Sequence, residues 1–158
     1  MLNEFFAGIE QWPLAVALRG STWAYPLVNT AHIVGIALLF GGIAPLDLRL
    51  AGFWRHIPVA PLRRVLVPMA VFGLFVAVSA GALLFICKAR DYAASPLFQA
   101  KMALLVLALA NAAALRLARD WRMIDSVETP GTWPRLAGFA SVALWLTVIL
   151  LGRLVGYS

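Results

Sequence analysis

Four long apolar runs dominate this sequence and constrain its fold more than any other feature. They cover residues 25–51, 62–87, 97–117 and 134–155, with edges that a sequence alone fixes only to within a few residues. A helix needs about 20 mostly apolar residues to cross the hydrocarbon core of a bilayer. Within lipid, such runs satisfy their backbone polar groups by forming helices. The sequence therefore predicts an all-α fold, an integral membrane four-helix bundle.

The composition agrees with the membrane class. Hydrophobic residues make up 63% of the 158 residues, charged residues make up 13%, and the mean hydropathy is +0.88. Soluble domains contain about a quarter charged residues. The net charge of +6 would favour a nucleic-acid partner in a soluble protein. Here the basic residues lie mostly between the apolar runs, where they orient a protein in a bilayer, so we expect a lipid bilayer as partner and no nucleic acid.

Residues 1–20 differ from the four runs. Glu4 and Glu10 interrupt the apolar residues, and Pro13 begins a second short apolar piece. Such an amphipathic pattern predicts a helix that lies in the membrane interface, and proline is favoured at the first position of a new helix. We therefore expect an N-terminal interfacial helix over residues 1–20, broken at Pro13, and a four-helix domain over residues 21–158.

The distribution of Lys and Arg predicts the direction of the chain. Eight of the thirteen basic residues lie in or beside the connections after the first and third runs: Arg49, Arg55, Arg63, Arg64, Arg116, Arg119, Arg122 and Arg135. Positively charged loops tend to stay in the cytoplasm. We therefore expect both termini on the outer, periplasmic side of a bacterial inner membrane.

Small residues in the first two runs are expected to be packing positions. They recur every four residues in the second run, a ridge that lets a neighbouring helix approach closely, and they also occur in the first run. The positions are Gly73, Ala77, Gly81, Gly35, Gly41 and Gly42.

Polar residues inside the runs are the candidate functional residues, because charges within a bilayer are costly and usually face a bundle interior. At about 1.5 Å per residue, His32 lies roughly 10 Å into the first helix and Lys101 roughly 8 Å into the third. These two helices run in the same direction, and the fourth returns Arg153 to the same level. Asn29 lies one turn above His32 on the same face. The sequence thus predicts one polar layer near the outer surface.

A second polar layer is predicted at the opposite end of the bundle. Asp47 and Arg49 close the first helix, and Asn111 lies at a comparable level of the third. A contact of Asp47 with Asn111 or Arg49 would satisfy buried polar groups without any chemistry. We expect this layer to be a structural brace, with the alternative that it lines a path for a solute.

The residue types of the outer layer are open to two interpretations. Neutral imidazole is a good ligand for iron or copper, a deprotonated lysine can also ligate, and arginine pairs with carboxylates such as haem propionates. The layer then suits haem b, with His32 and Lys101 on the iron and with Arg153 and Asn29 completing the cofactor site. Alternatively, His32 hydrogen-bonds a neighbouring helix, Lys101 reaches the interface, and Arg153 anchors the end of its helix.

Two other possible ligands receive minor roles. His56 lies in the loop 54-WRHIPVAPLRR-64, toward the other face, so we do not expect it to pair with His32 within one protomer. Cys87 is the single cysteine, which excludes an internal disulfide and CxxC-type metal sites. It is a small packing residue or, as an alternative, a copper ligand. Patterns typical of soluble enzymes, such as a Ser-His-Asp constellation or a phosphate loop, are missing from the sequence.

The sequence resembles two families of small membrane proteins. The early histidine, Pro68, Gly81, the stretch 98-FQAKMALLVLALAN-111 and the late arginine resemble the HemJ-type protoporphyrinogen oxidases, four-helix proteins related to the CopD-like copper-resistance proteins. The stretch 32-HIVGIALLFGGIAPLDLRLAG-52 is similar to a family of uncharacterised bacterial four-helix membrane proteins, a domain of unknown function, over most of the chain from Trp23 onward. The resemblance to the oxidases implies haem b bound by His32 and Lys101.

Two classes of function follow as hypotheses. The first is a haem-b membrane protein for electron transfer or haem-linked oxidation, with a redox partner at the outer face. Whether such a protein is an enzyme, a HemJ-like membrane oxidoreductase, stays open. The second is a protein that handles copper or a small solute, or a cofactor-free accessory subunit of a larger membrane complex. Bundles of this size often need partners, so a homo-oligomer is a further expectation.

Overall fold

The computed structural model of the protein describes residues 2–117 and 131–157, and this part of the chain is helical apart from short connections. Four long helices form the bundle: α3 (Ala24–Ala51), α4 (Val59–Cys87), α6 (Pro96–Leu117) and α7 (Thr132–Leu154). Three short helices accompany them: α1 (Leu2–Glu10), α2 (Pro13–Gly20) and α5 (Ala89–Ala94). A 3₁₀ turn, Val155–Tyr157, follows α7.

The four long helices are each long and apolar enough to cross a membrane. The predicted all-α fold is therefore confirmed, and the chain is a multi-pass membrane protein. The predicted bounds differ by a few residues, most at α4, which begins at Val59 rather than near residue 62. The helix starts earlier because Pro58 takes the extended N-cap position and because proline is tolerated within the first turn, as at Pro61.

The first bundle helix ends at a glycine cap. Gly52 has a φ of 110°, a left-handed conformation that glycine adopts without a steric penalty. The amides of Gly52 and Phe53 donate to the carbonyls of Arg49 and Leu48 at 3.2 and 3.0 Å, which satisfies backbone acceptors of the last turn. This cap fixes the direction in which the chain leaves α3.

The buried Arg49 side chain holds the loop that follows the cap. Only 2% of Arg49 is exposed. Its Nε donates to the Ile57 carbonyl at 2.6 Å, and its Nη2 donates to the Arg55 carbonyl at 3.1 Å. Arg49 therefore ties the end of α3 to the start of α4, a role that the sequence did not predict.

Glycines allow the backbones of α3 and α4 to touch. A Cβ atom added at Gly35 would lie 2.5 Å from the backbone nitrogen of Ala77, and one added at Gly42 would lie 2.7 Å from the Leu66 carbonyl oxygen. Gly35 and Gly42 are two turns apart on one face. The predicted packing role is therefore confirmed at these positions. It is wrong at Gly41, which faces open space because one residue rotates the side-chain position by about 100°.

The order of packing in the bundle is α4, α3, α7, α6. Helix α3 packs extensively on α4 and also on α7, and α6 packs mainly on α7. The backbones of α3 and α7 approach closely at Gly138, where an added Cβ would lie 2.6 Å from the Asp47 carbonyl oxygen. A central cluster of Leu39, Ala70, Ala108 and Trp145 joins all four helices. Side chains rather than close backbone packing therefore bridge α4 and α6.

The N-terminal helices lie against one end of the bundle. We call this the His32 end; it contains the start of α3, the end of α4, α5, the start of α6 and the end of α7. Arg19 of α2 donates to the Cys87 carbonyl at 2.9 Å, and Glu10 forms an ion pair with Arg90 of α5 at 3.0 Å. The break at Pro13 is present, and α5 was not predicted. Placement of this segment in a membrane interface stays a prediction.

Six of the eight basic residues counted on the inner side lie among the described residues, and Arg119 and Arg122 lie outside them. Arg55 lies in the loop after α3, and the other five lie near helix ends: Arg49 in α3, Arg63 and Arg64 in α4, Arg116 in α6 and Arg135 in α7. The orientation of the termini therefore stays a prediction.

Candidate functional site

His32 is held between α3 and α4 by one hydrogen bond. Its Nδ1 lies 2.7 Å from the carbonyl oxygen of Ala77. A carbonyl only accepts, so Nδ1 carries the hydrogen, and Nε2 of the neutral imidazole keeps its lone pair. The ring is therefore fixed in the tautomer that a metal ligand needs at Nε2.

The two predicted ligands pack beside glycines of neighbouring helices, and only the contact at Gly81 is too close for a Cβ atom without a shift. A Cβ atom added at Gly81 would lie 3.0 Å from Cε1 of His32 and 3.2 Å from its Nδ1. On the other side of the bundle, a Cβ atom added at Gly152 would lie 3.4 Å from Cε and Nζ of Lys101. The His32 ring thus lies on α4 at Gly81, and the Lys101 side chain lies on α7 at Gly152.

The structure brings His32 and Lys101 to the same level. His32 lies two turns after the start of α3, and Lys101 lies between one and two turns after the start of α6. Both are partly buried. Within the described part of the chain, Lys101 forms no hydrogen bond or ion pair. The lysine nitrogen is therefore available to a group placed between α3 and α6.

Arg153 and Asn29 lie farther toward the end of the bundle. Arg153 is exposed, donates from Nη2 to the hydroxyl of Tyr157, and stacks on that ring at 4.6 Å from the centroid. Asn29 is exposed as well. Both residues border the layer of His32 and Lys101 rather than lying in it, at positions open to polar groups on the rim of a bound molecule.

Aromatic side chains close this end of the bundle. We call Phe6, Phe85, Tyr92 and Phe98 the aromatic cap. Phe85 stacks on Tyr92 and Phe98 with centroid distances of 6.3 and 5.5 Å, Tyr92 lies 5.3 Å from Phe98, and Phe6 contacts Phe85 edge-on. Phe85 follows Gly81 by four residues, so the cap lies about 6 Å beyond the His32 ring. The cap joins α4 to α6 just above the layer.

Tyr92 ties the cap to α3. Burial raises the pKa of the Tyr92 phenol, and a hydrogen bond with the side chain of Tyr25 raises it further. Tyr92 therefore stays neutral around physiological pH and contributes an apolar ring with one satisfied hydroxyl. Sequence reasoning missed this cluster, although the spacing of Phe85, Tyr92 and Phe98 around the α4–α6 connection was a readable signal.

The opposite end, which we call the Asp47 end, carries the second polar layer. Asp47 is 6% exposed and accepts a hydrogen bond from Ser141 of α7. Asn111 donates from Nδ2 to the Ala137 carbonyl at 3.1 Å. The predicted contact between Asp47 and Asn111 is therefore replaced by two separate contacts with α7. Ser141 was missed because a single serine in an apolar helix gives no distinctive pattern.

The other candidate ligands do not join either layer. Cys87 is buried, and its thiol donates to the Leu83 carbonyl at 3.3 Å. His56 lies in the exposed loop between α3 and α4. Residues 2–117 and 131–157 contain no group of three His, Cys, Asp or Glu residues that could hold a metal ion. A site built only from protein ligands of these types therefore has no support in this part of the chain.

No protein-family model, curated protein or solved structure matches the chain. The site must therefore be interpreted from its own chemistry.

The residues at the His32 end are of donor types that could hold a haem. His32 presents an imidazole nitrogen whose partner nitrogen is already bonded, and Lys101 presents an amine without a partner in the described chain. The aromatic cap adds apolar rings at the same end of the bundle, of the kind that line cofactor sites. The exposed Arg153 adds a cation of the type that binds propionates.

Proposed function

We propose that the protein is an integral membrane haem-b protein that serves in electron transfer or a haem-linked oxidation. The hydrogen bond between His32 Nδ1 and the Ala77 carbonyl carries the proposal. Metal-ligating histidines almost always donate their second N–H to a carbonyl, a carboxylate or water, which fixes the tautomer and increases ligand basicity. Gly81 supports this orientation, because the ring packs against α4 where a Cβ atom would crowd it.

Lys101 is the second axial ligand in this proposal. Its position on α6, beside Gly152 of α7, would let it approach from the side of the bundle opposite to α4. Lysine ligates as the neutral amine, so the apolar surroundings of the layer, which disfavour the ammonium form, favour ligation.

Arg153 and Asn29 serve the polar rim of the cofactor. Arg153 offers a planar guanidinium suited to carboxylates, and its contact with Tyr157 holds it at the end of α7. Haem supplies the one-electron chemistry when bound. The chain supplies ligands, orientation and exclusion of water, and the aromatic cap separates the layer from solvent at this end.

The location follows from the same proposal. The basic residues favour a bacterial inner membrane with both termini on the periplasmic side. The His32 end would then lie near the outer face, where a redox partner could approach the exposed rim. A larger complex or a homo-oligomer is compatible with the exposed apolar surface of α6.

A pair of histidine variants tests the proposal. Protein expressed with ample haem supply and purified in mild detergent should show a Soret band. His32→Ala should lose most of that band, while His56→Ala, which removes the other histidine, should retain it. Purified protein that is colourless in all three forms, or that contains copper without haem by elemental analysis, would contradict the proposal.

The variant Lys101→Arg separates the ligating role of the lysine amine from the effect of its positive charge. Lys101→Arg keeps the positive charge but removes the ligating amine, so it should retain haem and change the low-spin spectrum of the ferric form. An unchanged spectrum in Lys101→Arg would exclude Lys101 as a ligand and leave His32 with a different partner.

A further inference from the structure

A small cavity lies at the Asp47 end, among all four long helices. Its volume is about 50 Å³, whereas a water molecule occupies about 30 Å³ of liquid. The polar lining consists of Asp47, Asn111, Ser141 and, at an exposed position, Arg116. The cavity is thus large enough for water and is polar on one side.

Asp47 lines this cavity, and one oxygen of its carboxyl group has no partner among the described residues. The residue is 6% exposed, and its Oδ2 is buried and forms no hydrogen bond within the described chain. An unpaired ionised carboxylate in a low-dielectric interior is strongly unfavourable, and such a group becomes neutral instead. Asp47 is therefore either neutralised or supplied with a positive partner.

Among the described residues that line the cavity, Arg116 is the one cation, and it lies at an exposed position. Helix α4 contributes only apolar lining residues, and α7 contributes the uncharged Ser141. Helix α6 also contributes Asn111, whose amide donates to the Ala137 carbonyl rather than to Asp47. Arg49, two residues farther along α3, directs its guanidinium to the loop carbonyls of Arg55 and Ile57.

We propose that Asp47 is an exchangeable proton-binding site that takes its proton from water in this cavity. A hydronium ion transfers its proton to Oδ2, an O–H bond forms on the carboxyl group, and one water molecule remains. Ser141 bonds the carboxyl group from α7, and the cavity water accepts from the new O–H. Arg116 marks the edge at which the cavity meets the outside.

Proton binding gives Asp47 a chemical role in addition to bracing the helices. This role does not depend on whether haem binds at the His32 end. A brace would have both carboxylate oxygens satisfied, as buried polar groups in native proteins usually are. A residue with one bonded and one free oxygen beside a water-sized cavity instead has the arrangement of a proton acceptor within a membrane bundle.

Infrared spectroscopy of the protein in lipid vesicles at neutral pH tests the proposal. Asp47 is the one acidic residue of seven that lies within an apolar run, so the carbonyl stretching band of a protonated carboxylic acid should arise from it alone. The band should shift on transfer to D₂O, because the proton exchanges with water. Asp47→Asn should abolish it, while Asp91→Asn, which changes an exposed acid on α5, should leave it unchanged.

A second variant keeps the test independent of the folding of Asp47→Asn. Ser141→Ala should retain the band and move it to higher frequency, because the carboxyl group loses a hydrogen bond. A wild-type spectrum without this band, with Asp47 ionised at neutral pH, would overturn the proposal. So would a band that is insensitive to D₂O, since the proton would then have no path to water.

Discussion

His32 and Asp47 lie on the same helix, roughly 22 Å apart along its axis. Each is a polar side chain with one atom that forms a hydrogen bond within the described chain and one that does not. His32 has one ring nitrogen bonded to Ala77 and the other available. Asp47 bonds Ser141, and its Oδ2 has no partner among the described residues. Each side chain thus keeps one polar atom available, which is the feature on which the two proposals rest.

The contact between His32 and Gly81 leads to a prediction about single methyl groups. In Gly81→Ala, the new Cβ would lie 3.0 Å from the His32 ring, so the ring must rotate or move away from its bond to Ala77. We expect the Soret band of the purified protein to weaken and shift. Gly152→Ala is the matched control, since its Cβ would lie at an ordinary 3.4 Å from Lys101. Equal spectra for the two variants would show that Gly81 does not orient His32.

The candidate residues could be predicted from the sequence, but their partners could not. Helix direction and depth were enough to predict a common level for His32 and Lys101, because the positions of charges inside apolar runs are readable. The Ala77 carbonyl and the Ser141 hydroxyl were not predictable as partners. A backbone carbonyl exists at every residue, and which one faces a side chain depends on how the helices rotate about their axes.

At the scale of helices, the pair α3 and α4 is fixed by backbone contact at small residues. In membranes, such close packing replaces the hydrophobic driving force that associates helices in water. Gly35 and Gly42 occupy that contact, and Gly41 between them does not. Four-residue spacing predicted the contact on α4, while the wrong assignment of Gly41 shows that composition alone cannot identify the packed face.

This difference predicts opposite effects of two alanine substitutions. Gly35→Ala places a Cβ 2.5 Å from the Ala77 backbone nitrogen, which cannot move aside as a flexible side chain would. Overpacking of this kind typically costs about 1–3 kcal/mol, so thermal unfolding in detergent should occur at a lower temperature. Gly41→Ala faces open space and should unfold at the wild-type temperature or above. A Gly35→Ala protein as stable as Gly41→Ala would contradict the close contact.

The N-terminal segment leads to a prediction about pH. The backbone amide of Arg90 donates to Glu10 at 2.9 Å and, with the Arg90 side chain, holds the pKa of Glu10 below its ordinary value. A carboxyl group with a lowered pKa stabilises the folded state above its unfolded pKa, and this contribution is lost as the pH falls through the folded pKa. The protection factors of the α1 amides, which compare each measured exchange rate with the intrinsic rate at the same pH, should therefore fall on acidification. Glu10→Gln should show low protection at neutral pH with little further change, and a parallel response of both proteins would exclude Glu10.

At the scale of the whole molecule, the bundle separates two polar ends by an apolar middle. The central cluster around Leu39 and Trp145 contains no ionisable side chain. The four helices and their approximate ends were predicted because bilayer thickness sets helix length. The short α5 and the docking of α1 and α2 on the His32 end were not, because brief polar segments take their structure from tertiary contacts rather than from local pattern.

Titration of haem b into the purified protein without cofactor tests the central claim most directly. If His32 and Lys101 form an axial site, the Soret absorbance should rise and saturate at one haem per chain, and His32→Ala should show only the weak, unsaturated rise of haem that partitions into detergent. A wild-type curve that coincides with that of His32→Ala would contradict a haem site at the His32 end.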